Sequence, residues 1–332
     1  MSNCLAASPG DDPMGVLVIM SLFLTPIALP GGFNEPVENA PQVGVVAHRG
    51  AGGGDQHPER PPENTLPALE WGWEHGATWV ECDVILSGDG VPMLTHDFDS
   101  AHRADKAIAI DRASLEDIRT LDAGSWKSPH WAGLRMPTLS EALARVPADK
   151  GLVIEIKSGP EAAVPVMQAI EASLVDRERV MIISFNVDTI RACRVHCQTT
   201  PILWLMSFED KPGDGSQSEW SVFWRAGPGR GARVGQPFDL EQVMTLARSL
   251  DVDGLDTSVN HPAFLSKRLA SVGLIHGVWT VNDPARAVDL VRSGVREVTT
   301  DEPEEVIEAF REAGFEIVCR DRRRARSSSS PD

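Results

Sequence analysis

TWVECDV, residues 78–84, is a short apolar run that carries two acidic residues. Its valines and its tryptophan favour a β-strand, and the run is too short for a stable helix. Glu81 and Asp83 are separated by one residue, so in a strand both side chains point to the same face. The segment therefore predicts a buried strand that presents two carboxylates to one side of a sheet.

Seven further short apolar runs resemble this segment. Most of them are rich in β-branched and aromatic residues, which favours buried parallel strands. They lie at 43–48, 151–157, 180–185, 201–206, 253–258, 275–281 and 297–301. Together with 78–84, they predict a sheet of eight parallel strands.

Helical patterns separate these strands. The segment 66–75 follows Thr65 and stops at Gly76, as expected for a capped helix. Asp301 is expected to cap the last helix, with Pro303 in its first turn. The predicted helices are 66–75, 161–175, 240–250, 262–271, 284–293 and 304–313.

Strands that alternate with helices in this way predict an α/β fold, a single-domain (β/α)₈ TIM barrel over residues 43–316. An open doubly wound sheet is the alternative. It is less favoured because no Gly-x-Gly-x-x-Gly turn follows the first strand and leads into a helix.

Two segments do not fit the alternation. The run 92–97 follows an Asp-Gly turn at 89–90, which predicts a β-hairpin after the second strand. Residues 207–237 are rich in Gly, Pro and Ser and contain Trp220 and Trp224. We expect a long inserted loop there, acting as a lid, a binding element or a disordered segment.

Both termini lie outside the predicted barrel. Within the N-terminal segment 1–42, the apolar run 14–30 is too short, and too interrupted by Pro26, for a stable membrane span. It could be a signal peptide, but no basic residue precedes it, so a cytoplasmic and an exported protein are equally open. The Arg/Ser-rich tail 317–332 is expected to be disordered.

The composition limits the class of function. The 332 residues include 31 basic and 48 acidic ones, for a net charge of −17, which argues against nucleic-acid binding. The five cysteines are scattered and show no disulfide framework. An acidic protein that binds an anionic small molecule needs local cations or a metal at its site. The oligomeric state is left open.

The C-terminal ends of the predicted strands are where barrel enzymes hold their active sites. In this chain these ends, together with the hairpin, collect carboxylates, histidines, cations and one tryptophan. The residues are His48, Arg49, Glu81, Asp83, His96, Glu155, Lys157, Trp279 and Asp301.

Three clustered carboxylates cannot all remain ionised in a partly buried site without a cation. Glu81, Asp83 and Glu155 offer only oxygen ligands, which favours one hard divalent cation: Mg²⁺, Ca²⁺ or Mn²⁺. The alternative is that these carboxylates are barrel-interior ion partners of Arg49 and Lys157.

The remaining polar residues suit chemistry on a phosphate. His48 and His96 can accept and donate protons near neutral pH, although a single strand-end histidine is more often structural. Arg49 and Lys157 supply positive charge for a tetrahedral anion. Together with a metal, these groups predict phosphodiester hydrolysis.

A series of motifs then occurs in a fixed order along the chain. They are HRG at 48–50, PENT at 62–65, ECDV at 81–84, SGDG at 87–90, HD at 96–97, MPTL at 136–139, EIK at 155–157 and WTVN at 279–282. In this order the chain resembles the glycerophosphodiester phosphodiesterase family from about residue 45 to 310. The resemblance implies a barrel, a divalent metal, and cleavage of a small-molecule glycerophosphodiester to glycerol 3-phosphate and an alcohol.

The resemblance also implies roles for single residues. The metal ligands are expected to be Glu81, Asp83 and Glu155, and the general acid and base His48 and His96, in either assignment. The phosphate contacts fall on Arg49 and Lys157, and the aromatic substrate wall on Trp279, which could equally be barrel packing. Glu63 is expected beside the metal or bonded to Arg49.

Three alternatives remain open for the reaction. The neighbouring glycerol hydroxyl could attack first, giving a cyclic phosphate that water opens. The substrate could retain its acyl chain, as for a lysophospholipase D or sphingomyelinase D, with Trp220, Phe223 and Trp224 forming an apolar groove. Finally, the barrel could bind a ligand without catalysis.

Overall fold

Twelve strands are found in the computed structural model, which describes residues 41–53, 57–211 and 219–319. They are β1 Gln42–Ala47, β2 Trp79–Leu86, β3 Pro92–Leu94, β4 Gly151–Ile156, β5 Val180–Ser184, β6 Ile202–Lys211, β7 Glu219–Ala226, β8 Ala232–Pro237, β9 Gly254–Ser258, β10 Ile275–Trp279, β11 Glu297–Thr300 and β12 Glu316–Ile317.

Nine α-helices and several short 3₁₀ turns connect these strands within the described residues. The helices are α1 Leu66–Glu74, α2 Leu115–Ile118, α3 Leu139–Leu143, α4 Ala163–Ala172, α5 Val187–His196, α6 Leu240–Ser249, α7 Leu265–Ser271, α8 Pro284–Ser293 and α9 Pro303–Glu312.

Eight of the strands close into a parallel barrel. Following the sheet, β1 pairs with β2, then β4, β5, β6, β9, β10 and β11 follow in turn, and β11 pairs with β1 again. These are the eight strands that the short apolar runs predict. The (β/α)₈ fold is therefore confirmed.

Side chains of each barrel strand alternate between two apolar layers. On β2, Trp79 belongs to the cluster inside the barrel, whereas Val80, Cys82 and Val84 pack against the helices. Glu81 and Asp83 have the same parity as Trp79, so they point inward. The predicted common face of the two carboxylates is thus the barrel interior.

Several of the helices begin at a residue whose side chain caps them, but α4, α7 and α9 do not. Thr65 accepts a hydrogen bond from the backbone of α1, and Asp283 does the same for α8. The prediction that Asp301 caps α9 is wrong: the N-cap is Glu302, without a side-chain bond. The carboxylate of Asp301 points into the barrel mouth instead, where it meets a histidine.

Two predictions about the additions to the barrel have different outcomes. The hairpin is confirmed, because β3 pairs antiparallel to β2. The prediction of a long loop over 207–237 is wrong. Instead, β6, β7 and β8 form an antiparallel meander that extends the barrel sheet.

The reason lies in β7, where side chains alternate with a period of two. Val222 and Trp224 are buried against the core, while Phe223 and Arg225 point to the other side. This alternation is short, and the surrounding Gly, Pro and Ser residues outweighed it in the sequence pattern. We call residues 219–237 the insert hairpin.

The chain termini are described only in part. The apolar run 14–30 and residues 320–332 lie outside the described residues, so these predictions remain untested. Residue 317, which the sequence assigns to the tail, instead belongs to β12, which pairs with β1. None of the described helices is long and apolar enough to cross a membrane.

Candidate active site

Three carboxylates from two neighbouring strands meet inside the barrel mouth. Glu81 and Asp83 come from β2 and Glu155 from β4, where Asp83 and Glu155 are paired in register. One oxygen of each lies within 4.8 Å of the others. The barrel thus brings together the three residues that the sequence proposes as metal ligands.

Glu81 provides the test of whether this cluster suits a cation. One carboxylate oxygen accepts the backbone N–H of Arg49 at 2.9 Å, while Oε1 is buried and has no hydrogen-bond partner among the described residues. Burial raises the pKa of Glu81 well above its ordinary value, and the charges of Asp83 and Glu155 raise it further. An unpartnered oxygen in an all-carboxylate donor set fits a hard divalent cation.

Asp83 has the opposite environment although it is only two residues away. Its carboxylate is 3.4 Å from Nζ of Lys157 and 3.3 Å from Nε of Arg49, and it accepts a 2.9 Å bond from Asn64. Burial alone would raise the pKa of Asp83, but Lys157 and Arg49 hold it well below its ordinary value. These cations favour the ionised form of Asp83.

Asn64 was not predicted as a site residue. Its side chain both donates to the carboxylate of Asp83 and accepts the Asp83 backbone N–H at 2.9 Å. Its backbone has a φ of 57°, in the left-handed region that asparagine tolerates better than most residues. The signal that could have found it is its position in the PENT motif.

Arg49 connects the carboxylates to a second ion pair. Its guanidinium donates to Glu63 at 2.8 Å, and Arg103 contacts the same oxygen of Glu63 at 3.2 Å. Burial disfavours the charged guanidinium, yet Asp83, Glu63 and Glu81 together raise the pKa of Arg49 above its ordinary value. Of the two expected positions for Glu63, the structure shows the bond to Arg49.

Lys157 is held by the same cluster. Its Nζ lies 2.9 Å from Glu155. Burial lowers its pKa, but Glu155 and Asp83 more than offset this and raise the pKa above the ordinary value. Arg49 and Lys157 are therefore permanently charged groups beside the three carboxylates.

His48 is oriented by Asp301, the last residue of the eighth predicted strand. The distance from His48 Nδ1 to Asp301 Oδ1 is 2.7 Å. Asp301 also accepts bonds from the Gly53 backbone and the Asn282 side chain. Burial raises its pKa, but the bonds from His48, Asn282 and Gly53 lower it to well below the ordinary value. Asp301 is the second site residue whose role sequence reasoning missed.

His96 has a similar partner in a more exposed position. Its Nδ1 lies 2.8 Å from the carboxylate of Asp97, and about a third of its side chain is exposed. In both histidines a carboxylate engages Nδ1, so Nε2 is the nitrogen left to face a substrate. The hairpin that carries β3 places His96 at the same mouth as Glu155 and Lys157.

Trp279 lies at the end of β10, half-buried. Its ring meets the ring of Phe185 edge to face at 5.6 Å. Phe185 lines the cleft beside the site. This contact is compatible with both expectations for Trp279, as packing and as part of an aromatic wall.

A cleft of about 700 Å³ opens from this cluster toward the insert hairpin. Its lining includes His96, Glu155 and Lys157 from the site and Phe223, Arg225 and Arg230 from the insert hairpin. Of the three aromatic residues expected to form an apolar groove, Phe223 and Trp224 line this cleft. Trp224 packs edge-on against buried Trp204, and Trp220 against Phe208.

Comparison with known proteins agrees with this geometry. The sequence model of the "Glycerophosphoryl diester phosphodiesterase family" matches residues 48–305. A glycerophosphodiester phosphodiesterase of Caldanaerobacter subterraneus subsp. tengcongensis is 35% identical over 155 residues, which cover 44% of this chain and 60% of that protein. One from Bacillus subtilis is 30% identical over 150 residues, 43% of this chain and 48% of that protein. The matches thus span roughly half of the relatives' own length.

Solved structures show the same fold. A phosphodiesterase from Oleispira antarctica, in complex with the product sn-glycerol-3-phosphate, aligns with a TM-score of 0.64 at 23% identity over 82% of this chain and 97% of that one. A glycerophosphodiester phosphodiesterase from Thermotoga maritima aligns with a TM-score of 0.57 at 24% identity over 80% and 97%. At these identities the structural likeness supports the fold alone.

Proposed function

Because this chain belongs to the glycerophosphoryl diester phosphodiesterase family, we propose that it hydrolyses glycerophosphodiesters to sn-glycerol 3-phosphate and an alcohol. One observation carries the proposal. The three carboxylates Glu81, Asp83 and Glu155, with the unpartnered oxygen of Glu81, lie between two permanent cations at the mouth of a closed barrel.

Glu81, Asp83 and Glu155 would hold one divalent cation, Mg²⁺, Ca²⁺ or Mn²⁺. When bound, it supplies positive charge to the phosphoryl oxygens as negative charge builds up on them. Arg49 and Lys157 contribute further fixed charge at the same place, which favours the transition state over the substrate. Glu63 positions Arg49 through the 2.8 Å ion pair.

The two histidines move the protons. The attacking oxygen, from water or from the neighbouring glycerol hydroxyl, forms a bond to phosphorus as the bond from phosphorus to the alcohol oxygen breaks. One histidine accepts the proton of the attacking oxygen, and the other donates a proton to the departing alcohol. After a hydroxyl attack, water opens the cyclic phosphate and the two histidines exchange roles.

The carboxylates beside each ring support this role. Asp301 is shielded and held by two further donors, so it fixes His48 with a proton on Nδ1 and leaves Nε2 to face the reacting atoms. Asp97 acts on His96 in the same way but is more exposed. In this mechanism Asp301 and Asp97 act as positioning groups for the two histidine rings.

The first experiment measures release of glycerol 3-phosphate from glycerophosphocholine and glycerophosphoglycerol, with Mg²⁺, with Ca²⁺ and with EDTA. We expect turnover that depends on a metal and that EDTA abolishes. No turnover with any metal would contradict the proposal. Turnover of lysolipid micelles alone would instead favour the lysophospholipase D alternative.

The histidines are tested by replacement. His48→Ala and His96→Ala should each lower kcat on the order of 10²–10⁴-fold, because each loses one proton-transfer group. Metal affinity, measured by titration calorimetry, should remain close to that of the wild type. His130→Ala is the matched control, because this exposed histidine lies away from the cleft. A fully active His96→Ala enzyme would remove that residue from the mechanism.

A further inference from the structure

The insert hairpin concentrates positive charge in an otherwise acidic protein. Residues 220–237 contain three arginines and no acidic residue, whereas the whole chain has a net charge of −17. Arg225, Arg230 and Arg233 all line the cleft that opens from the carboxylate cluster. We call these three residues the arginine wall.

The backbone beneath the arginine wall is anchored to the barrel. The backbone N–H of Arg225 donates to the carbonyl of Phe185 at 2.8 Å, directly beyond β5. Asn186 donates to the carbonyl of Gly227 at 2.7 Å, and Glu161 accepts the N–H of Gly229 at 3.0 Å. The guanidinium groups therefore have a defined place relative to the strand ends.

The guanidinium groups of the arginine wall contact aromatic rings and backbone carbonyls, and only one of them pairs with a carboxylate among the described residues. Arg230 stacks over the ring of Phe98 at 4.4 Å, and Arg225 donates to two carbonyls of its own hairpin. Arg233 stacks over Phe223 at 3.9 Å and pairs with Glu209. Among the described residues, neither Arg225 nor Arg230 has a carboxylate within 4 Å.

The acidic residues of the cleft already have other partners. Asp97 bonds His96, Asp99 caps a 3₁₀ turn, and Glu155 pairs with Lys157. Arg233 is already paired with Glu209, but the like charges of Arg225 and Arg230 repel each other and favour a bound anion. Guanidinium groups are also suited to phosphate, since they donate pairs of parallel hydrogen bonds.

We propose that the arginine wall binds an anionic group on the alcohol half of the substrate, so that the enzyme prefers glycerophosphodiesters whose leaving alcohol carries a further phosphate. This inference rests on the proposed function. The glycerol half has no charge beyond the scissile phosphate, which Arg49, Lys157 and the cation held by the carboxylate cluster would bind. An anion that reaches the arginine wall therefore belongs to the alcohol half.

The test compares two substrates that differ by one such group. Glycerophosphoglycerol has a neutral leaving alcohol, whereas bis(glycerophospho)glycerol has a leaving alcohol with a second phosphodiester. We expect kcat/KM to be roughly tenfold or more higher for the second, after correction for its two equivalent ends, because charge-assisted hydrogen bonds give ratios of this order. The ratio should fall as salt is added.

Two variants assign the preference to the arginine wall. Arg225→Gln and Arg230→Gln should each lower the ratio toward one, because each removes a charge that the second phosphate would contact. Arg292→Gln is the matched control, since this exposed arginine lies on the outer helix α8, and its ratio should equal that of the wild type. The variants replace exposed side chains, and thermal melts check that they fold.

The outcomes separate this inference from the proposed function. Equal kcat/KM for the two substrates, or a ratio preserved in both variants, would overturn the arginine wall as a specificity site while leaving the phosphodiesterase activity in place. No glycerol 3-phosphate from either substrate, with any metal, would overturn the proposed function and this inference with it.

Discussion

Glu81 and Asp83 are two residues apart on one strand and face the same interior, yet their pKa values shift in opposite directions. Asp83 is next to two cations, whereas Glu81 meets burial and two other carboxylates. A strand places both groups, but only their neighbours determine which one is easily ionised. Strongly shifted pKa values of this kind are concentrated at functional sites.

Glu81→Gln should separate metal binding from stability. The amide is isosteric and neutral, so it removes the repulsion between Glu81 and the neighbouring carboxylates of Asp83 and Glu155. We expect the free energy of unfolding of the metal-free protein to rise on the order of 1 kcal/mol. The stabilisation by a metal, about 2.7 kcal/mol at a hundred times the Kd, should be lost.

Urea denaturation with EDTA, then with Mg²⁺ or Ca²⁺, measures both effects. The control Glu308→Gln replaces an exposed carboxylate on α9 and should respond to metal as the wild type does. A Glu81→Gln protein that the metal stabilises as much as the wild type would exclude Glu81 as a ligand.

Asp301→Asn tests the positioning of His48. An amide can present either an oxygen or an N–H to Nδ1, so the ring loses its fixed tautomer and orientation. We expect kcat to fall about 10²-fold or more, with metal affinity unchanged. The control Asp283→Asn keeps a competent N-cap on α8 and should retain activity. A kcat equal to that of the wild type would show that His48 needs no carboxylate partner.

At the scale of the element, the insert hairpin shows where a sequence pattern misleads. Composition predicted a loop, because glycine and proline dominate residues 226–237. The strands exist because Val222 and Trp224 find a place in the core and because β6 extends beyond the barrel to pair with β7. A local sequence pattern does not show whether a side chain will be buried against another element.

Trp224→Ala tests how firmly this element is attached. The tryptophan is 8% exposed and packs against Trp204, so its removal leaves a cavity. We expect a loss of about 3–5 kcal/mol in the free energy of unfolding. Leu174→Ala is the control, because that side chain is fully exposed and should change stability little. A loss below 1 kcal/mol would mean that the hairpin is not packed as the structure shows.

At the scale of the whole molecule, barrel closure gathers acidic side chains in one interior. Asp256, on β9, is 5% exposed, and its Oδ1 has no hydrogen-bond partner among the described residues. Gly277 on β10 leaves room for it, since a Cβ there would lie 2.7 Å from that oxygen. Burial raises the pKa of Asp256 well above its ordinary value, and Glu155 and Glu297 raise it further.

This shift predicts a pH dependence of stability. Because the folded state binds the Asp256 proton more tightly than the unfolded state, the contribution of this group to stability is full below pH 4. It decreases as the pH rises toward the folded pKa. Asp256→Asn removes this loss. In the absence of metal, the variant should therefore have a higher free energy of unfolding than the wild type, and this gain should be larger at pH 8 than at pH 5.

Urea denaturation in EDTA at the two pH values measures the free energy of unfolding of the variant and of the wild type. We expect the gain in the variant to be on the order of 1 kcal/mol at pH 8. Asp289→Asn, an exposed substitution on α8, should show no such pH dependence. A gain that is larger at pH 5 than at pH 8 would contradict the raised pKa.

The amino-acid sequence alone was enough to establish the eight barrel strands, most of the helices between them and the residues that gather at the strand ends. These features depend on local composition, on the two-residue period of a strand and on helix caps, all of which can be read within a few residues. The order of the motifs also indicated the family that the chain resembles. The three carboxylates, two histidines and two cations named from the sequence do meet at one mouth.

Other features required the closed fold. Asp301 bonds His48 across 253 residues of sequence, because the first and eighth strands become neighbours only when the barrel closes. Asn64, in the connection after β1, reaches Asp83 on the neighbouring strand β2. The insert hairpin became sheet because it packs against the core and pairs with β6, and this pairing places its arginines along the cleft. The protonation of Glu81 and Asp83 depends on burial and on charges from other strands. Long-range contacts and the local dielectric are properties of the assembled barrel, and no short stretch of sequence contains them.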